Sequence, residues 1–217
     1  DDIFPHPDFL KEHARMHNEH PAEHEAVLGL TLWHPELTVT PLMDFMTRGG
    51  ALFGKFGGHQ FAYDLLEGKK EANFRFFYTS NISLKRSLLT RYPFDPTFSG
   101  YGWEDIELGY RLTQKEHLRI FYNPQAIGYH FHPMSDQDFG NRMRNIGKSL
   151  HVLHNKYPEL RSMPSGKKKF LLWLMTNSFA MRFLQKSEKS NYENLRNLYY
   201  YALSKKYFME GLKESSK

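Results

Sequence analysis

Apolar and polar positions along the chain change period several times, and each period predicts an element. Residues 7–20 follow a helical pattern behind Pro7 that ends at Pro21. The apolar run 26–33, bounded by His34-Pro35, predicts a buried strand, and 41–47 a short helix stopped by Gly49-Gly50. Residues 51–72 are Gly-rich and mixed, which predicts a mobile loop region. The aromatic run 74–80 favours β-structure, 82–89 opens a helix, and the Pro and Gly of 93–102 predict a loop. Residues 104–116 set apolar positions among charges and predict a helix. Two short strands, 118–122 and 126–131, are expected around an Asn123-Pro124 turn, then a long helix with a basic face over 135–156. Strands alternating with helices indicate an α/β fold class.

The tail is different. Residues 170–184 form a largely apolar helical stretch, 11 of 15 positions, preceded by Lys167-Lys168-Lys169. That is too short to span a bilayer. It suits either a helix at the membrane interface or a core helix packed on the body. A last helix over 192–212 carries Tyr199, Tyr200 and Tyr201 as packing surface.

Charge sharpens this division. Residues 166–217 hold 11 Lys/Arg against 4 Asp/Glu, while 1–165 hold 18 against 20. The basic character is thus confined to the tail, which argues against a nucleic-acid reader. At 217 residues and 40% hydrophobic, the chain supports one large or two small cores and is not disordered. With no Cys, thiolate zinc sites, disulfides and thiol nucleophiles are excluded, so any metal must use Asp, Glu or His. The start at Asp1-Asp2, with no signal-like segment, implies a segment upstream.

Three constellations carry chemistry. Asp1-Asp2 before Ile3-Phe4-Pro5 suits the end of a strand facing a cleft, where hard carboxylate oxygens favour Mg²⁺ or Mn²⁺. A solvated acidic pair is the alternative. In the run from Gly100 to Leu112, Gly residues allow a ligand close to the backbone and Trp103 offers a flat face for a sugar ring. Glu104 and Asp105 sit at the predicted helix N-terminus, whose dipole favours their ionised forms. His130 and His132 share one face of a strand, where they can ligate a metal or serve structurally. His20-Pro21-Ala22-Glu23-His24 matches an inverse-zincin spacing, but Pro21 breaks the helix that chemistry needs.

Together these segments resemble the C-terminal two-thirds of a family 2 glycosyltransferase of the GT-A fold, over 1–160 and more loosely through the tail. Trp103-Glu104-Asp105-Ile106-Glu107-Leu108-Gly109-Tyr110-Arg111-Leu112 resembles that family's "ED" motif. Asp1-Asp2-Ile3 resembles the end of its metal motif, and 79–86 the segment lining the acceptor side. Residues 126–132 resemble the stretch whose His completes the metal site in some members. The first Asp of the metal motif and the nucleotide-binding half have no counterpart here, so the resemblance places them upstream of Asp1.

The resemblance implies the C-terminal part of a GT-A catalytic domain over 1–160 with a basic amphipathic helical extension over 161–217. It implies an inverting, metal-dependent transferase moving a sugar from a nucleotide-diphosphate donor, a UDP-sugar, to a hydroxyl of a glycan or glycolipid. Asp105 would be the base, with Trp103, Glu104 and Asn81 on the acceptor side. Asp1 and Asp2 would face the donor, and Asp2, His130 and His132 would hold Mn²⁺ or Mg²⁺. The expected location is cytoplasmic, with 166–217 against the inner face of the membrane. The alternative is a non-catalytic sugar-binding or scaffold domain of transferase-like fold.

Overall fold

Two strands, Glu25–Trp33 and Arg119–His130, run parallel, and the main sheet is built on them. The computed structural model describes residues 2–51, 55–58, 61–98 and 102–215. In chain order the first elements are β1 (Ile3–Pro5), α1 (Phe9–Glu19), β2 (Glu25–Trp33), α2 (Pro41–Arg48), β3 (Gly50–Ala51) and β4 (Lys55–Phe56). Then come β5 (Glu71–Ala72), β6 (Ile82–Ser83), α3 (Arg86–Arg91), α4 (Glu104–Glu116) and β7 (Arg119–His130). The chain ends in α5 (Asp136–Lys156), α6 (Gly166–Thr176), α7 (Ser178–Gln185) and α8 (Glu193–Glu214). The fold is mixed α/β, and no helix among the described residues is long and apolar enough to cross a membrane.

The chain forms two compact units. The first comprises Asp1–Val39, Phe61–Pro96 and Glu104–Pro133, and the second Thr40–Gln60, Thr97–Trp103 and Met134–Lys217. Packing therefore groups α5 with the tail helices, where the sequence reading placed it with the body.

In the first unit β7 is flanked by β1 and β2, with β5 also paired to it and β6 paired to β2. Only β2 and β7 are parallel; β1, β5 and β6 pair antiparallel. Burial on both faces explains why β2 reads as a continuous apolar run. Ala26 and Leu28 join Leu88, Leu108, Leu112 and Ile120 in one cluster, while Val27 turns the other way to Met16 and Phe121.

The strand β7 corrects the expectation of two strands around a turn. It is continuous, but Gly29 pairs with Asn123 and Leu30 with Ile127, so Pro124–Ala126 bulge out of the ladder. Pro124 has no N–H to offer the ladder, which is why the break falls there. The neighbouring carbonyls are satisfied by Asn81, whose Nδ2 donates to Leu30 O at 3.0 Å and Ala126 O at 2.9 Å.

Asn81 ends a chain of hydrogen bonds between α1 and β6. Lys85 has only donors, so its Nζ donates to His17 Nδ1 at 2.7 Å, and His17 Nε2 then donates to Ser83 Oγ at 2.9 Å. The Ser83 hydroxyl donates to His13 Nδ1 at 2.7 Å, and His13 Nε2 to Asn81 Oδ1 at 2.8 Å. His13 and His17 are one helical turn apart, and Asn81, Ser83 and Lys85 alternate along an extended segment, so each set presents one face. This assignment needs both rings neutral.

The aromatic run at 74–80 is not a strand. Phe74–Phe76 is a 3₁₀ turn capped by the Asn73 side chain, which accepts from Arg75 N at 2.9 Å. Gly109 lets α4 approach it: a Cβ there would lie 2.6 Å from Phe77 Cβ. The region 82–89 divides into β6 and α3, and the described part of 51–72 holds β3, β4, β5 and a 3₁₀ turn at Tyr63–Leu66. Tyr63 and Leu66 belong to the core, which the Gly-rich composition did not suggest.

In the second unit α5 begins with a capping box, Ser135 with Asp138. Helices α5 and α8 run side by side in the same direction, with Arg144 Nε donating to Glu210 at 3.0 Å and Lys148 Nζ 2.7 Å from Glu214. Gly147 and Gly211 make the approach possible, since a Cβ at either would strike the other helix's backbone. The expected helix over 170–184 is two helices. Asn177 leaves helical geometry and its Oδ1 accepts from Phe179 N and Ala180 N, ending α6 and starting α7.

Burial holds the pKa of His13 below its ordinary value, against the pull of Asn81. Burial does the same at His17, helped by the Lys85 charge. The unfolded chain therefore binds more protons at these sites. Their contribution to stability is complete above the ordinary imidazole value of about 6.5 and is lost as pH falls through the lower folded-state values. An NMR titration of the imidazole protons should give midpoints below that value for both rings. A midpoint at or above it for His13 would contradict the neutral relay.

Candidate functional site

The candidate site lies in the first unit, where the parallel strands end. Trp33 is the last residue of β2 and pairs with His130, the last of β7. The antiparallel strand β1 brings its start to the same edge, with Ile3 opposite His130 and Phe131 N donating to Asp2 O at 2.7 Å. The carboxyl edge of parallel strands is where α/β sheets commonly place ligands.

Here Asp2, His130 and His132 converge. Asp2 Oδ2 lies 3.2 Å from His130 Nε2 and 3.3 Å from His132 Nδ1, and the two imidazoles stack with centroids 5.5 Å apart. Side-chain exposures of 10% at His130, 44% at Asp2 and 47% at His132 leave the group anchored on one side and open on the other. An ion about 2.1 Å from adjacent donors would hold them roughly 3.0–3.4 Å apart, which the two spacings from Asp2 meet. The ligand atoms all lie within 4.8 Å of one another. Burial keeps His130 below its ordinary pKa despite the pull of Asp2, which favours the neutral ring that a ligand presents. One feature does not fit: His130 Nδ1 is buried with no hydrogen-bond partner among the described residues, whereas a ligating ring usually donates that N–H.

Trp33 and Phe61 complete the edge. Trp33 tilts against His130 at 5.4 Å, and Phe61 lies edge-on to both, 6.0 Å from Trp33 and 5.3 Å from His130. Trp33 Nε1 is also buried without a partner among the described residues. Phe61 holds φ at 57°, a left-handed conformation that a bulky side chain rarely adopts. Sequence reasoning missed both residues, because nothing local marks an aromatic residue as lying beside two histidines.

Asp105 stands at the start of α4. Its Oδ1 accepts from Ile106 N at 2.7 Å. Burial pushes the carboxyl up to about 6, and the Glu104 charge adds to this, while backbone N–H groups including that of Thr79 oppose it. Burial raises Tyr78 to about 12, and the Asp105 charge contributes. Tyr78 meets Phe61 edge-on at 6.5 Å, so ring contacts run from His130 through Phe61 to Tyr78, whose hydroxyl feels the Asp105 charge.

The rest of the motif holds α4 in place. Glu107 is fully buried and takes a two-pronged ion pair from Arg111, Nε at 2.8 Å and Nη2 at 3.0 Å. Arg111 Nη2 also donates to Pro93 O at 2.7 Å, tying the loop before the helix to it. Removing Arg111 would take the paired cation from a buried carboxylate, a loss of about 3–5 kcal/mol. The Glu107–Arg111 spacing of four was the available sequence signal.

Other expected residues sit elsewhere. Asn81, expected on the acceptor side, is 2% exposed, and the bulge carbonyls and His13 occupy its amide, so it is a structural clamp. Trp103 belongs to the second unit, with φ 73° and its indole Nε1 donating to Ile146 O at 2.9 Å. Its ring packs beside Phe98, Leu150 and Leu153, so its edge is committed. Asp1, Gly100 and Tyr101 lie outside the described residues. His20 follows the end of α1, so His20 and His24 share no helix. A pocket of about 450 Å³ near the bulge, lined by Leu30, Tyr63, Leu66, Tyr122 and Pro124 among others, includes none of the candidate residues.

No protein-family model matches this chain, and a search of curated proteins finds no match either. The functional reading therefore rests on the residues themselves.

Calorimetric titration of the chain should show a single site for Mn²⁺ that weakens about tenfold or more in His130→Ala and in Asp2→Asn. Unchanged affinity in both variants would remove the trio as a metal site.

Proposed function

We propose that this chain is the acceptor-side part of an inverting glycosyltransferase of the GT-A type, using a nucleotide-diphosphate sugar, with Asp105 as the base. The observation that carries the reading is the Asp105 carboxyl, desolvated at a helix start and raised to about 6. A base poised near working pH is ionised enough to accept a proton and basic enough to hold it in the transition state. Glu104 keeps Asp105 basic and is the neighbouring group able to accept from acceptor hydroxyls. Glu107, Arg111 and Gly109 hold the helix that carries both.

Asp2, His130 and His132 are the residues that would hold a divalent ion in this reading, and Asp2 and His130 come to the edge on adjacent strands. When bound, such an ion neutralises charge on a departing diphosphate. Two imidazoles with one carboxylate suit Mn²⁺ better than Mg²⁺, which prefers an all-oxygen shell. The strained backbone at Phe61 and the Trp33 Nε1, unpartnered among the described residues, favour a ligand at this edge, because such features collect at binding sites.

In this scheme an acceptor hydroxyl is held at Asp105. As its oxygen forms the bond to the anomeric carbon, the proton passes to the Asp105 carboxylate and the bond to the leaving diphosphate oxygen breaks. Positioning and electrostatics supply most of the acceleration, and proton removal about 10²–10⁴-fold.

Sugar transfer by the native protein that contains this chain, read as nucleotide release, should fall by about 10²-fold or more in Asp105→Asn. Wild-type turnover should rise with pH through an acid limb near 6, since only the ionised carboxylate accepts a proton. The same substitution should raise the melting temperature at pH 8, because an ionised buried carboxylate costs stability that is lost as pH climbs through 6. Full turnover in Asp105→Asn would remove the residue from the reaction.

A further inference from the structure

We infer that α6 and α7 form a docking surface for an anionic lipid bilayer. The outward faces of these helices are apolar. Phe170 is 58% exposed, Trp173 57%, Phe179 84% and Phe183 68%, with Leu171 and Leu174 beside them. Phe170 and Trp173 stack at 5.9 Å, and Phe179 and Phe183 are one helical turn apart. The inner sides are apolar too: Leu172 packs with Leu150, Leu153, Met209 and Leu212, and Met181 is buried. A short helix that is apolar outside as well as inside is not an ordinary surface helix, whose outer face is polar.

Charge identifies the occupant. Between Glu159 and Glu188 there is no acidic residue, while Arg161, Lys167, Lys168, Lys169, Arg182 and Lys186 all lie in that interval. The three lysines head α6, and Arg182 and Lys186 stand beside the exposed Phe179 and Phe183, all five exposed. A protein partner of mixed charge would not require an acid-free margin. A bilayer carrying anionic headgroups does, because aromatic side chains enter the boundary between headgroups and acyl chains while cations stay at the phosphates. Eleven residues in α6 are too few to span, so the helices lie along the surface. The break at Asn177 divides the stretch into two segments that each present their aromatic residues outward.

Flotation of the full chain with phosphatidylcholine vesicles, alone or mixed equally with phosphatidylglycerol, tests this. The chain should float with the mixed vesicles, much less with phosphatidylcholine alone, and binding should weaken as salt rises. Phe170→Ser, Trp173→Ser, Phe179→Ser and Phe183→Ser combined should weaken binding by about tenfold or more with an unchanged circular dichroism spectrum. Brominated acyl chains should quench the fluorescence of the wild-type chain and not that of Trp173→Phe, a readout independent of how the multiple variant folds. No flotation with mixed vesicles would overturn the inference. So would a dimer in sedimentation velocity that Phe179→Ser dissociates, since a second copy would then cover the face.

Discussion

The register of β7 against β2 is the constraint on which the candidate site depends. Beyond the bulge Leu30 pairs with Ile127, and that offset carries through to Trp33 and His130. Side chains alternate along a strand, so a slip by one residue would turn His130 to the opposite face and away from Asp2. Asn81 secures the offset because its two N–H groups occupy the carbonyls freed on each strand. Ser83 and His13 hold Asn81 in turn, and His17 and Lys85 extend the chain to the end of α1. A polar strap on one side of the sheet thus determines where ligand atoms meet at its edge.

Much of this arrangement could be read from the chain. Helix α4 was legible to the residue, since its acidic first turn and apolar spacing agree with the dipole and the core it faces. Strand parity suggested that His130 and His132 would meet; their rings do stack, although β7 ends at His130 and His132 lies past it. The continuity of β7 was not legible, because Asn123-Pro124 has the composition of a turn. The ladder to β2 resumes at Ile127, and the Asn123 side chain, accepting from Gln125 N and donating to Glu12, closes a bulge where a turn was expected. The aromatic run at 74–80 misled for a related reason: β-propensity reflects packing, and here Gly109 brings a helix so close that the segment coils. The role of Asn81 was hidden because it depends on which helix lies over which strand, information no local spacing holds.

The two acids of the motif show opposite solutions to burial. Glu107 is paired by Arg111, so its charge serves the fold. Asp105 has N–H groups and a like charge beside it, and burial leaves it a stronger base than an ordinary carboxylate. A group that weakens the folded state when ionised, at the start of a helix fixed by a glycine and a buried ion pair, is the arrangement a proton acceptor requires.

Whether Asp105 is such a base is decided by carbon-detected NMR of its labelled carboxyl. The account predicts a titration midpoint near 6, well above an ordinary aspartate. A midpoint of about 4 or lower would show a solvated or paired carboxylate, and would contradict the account.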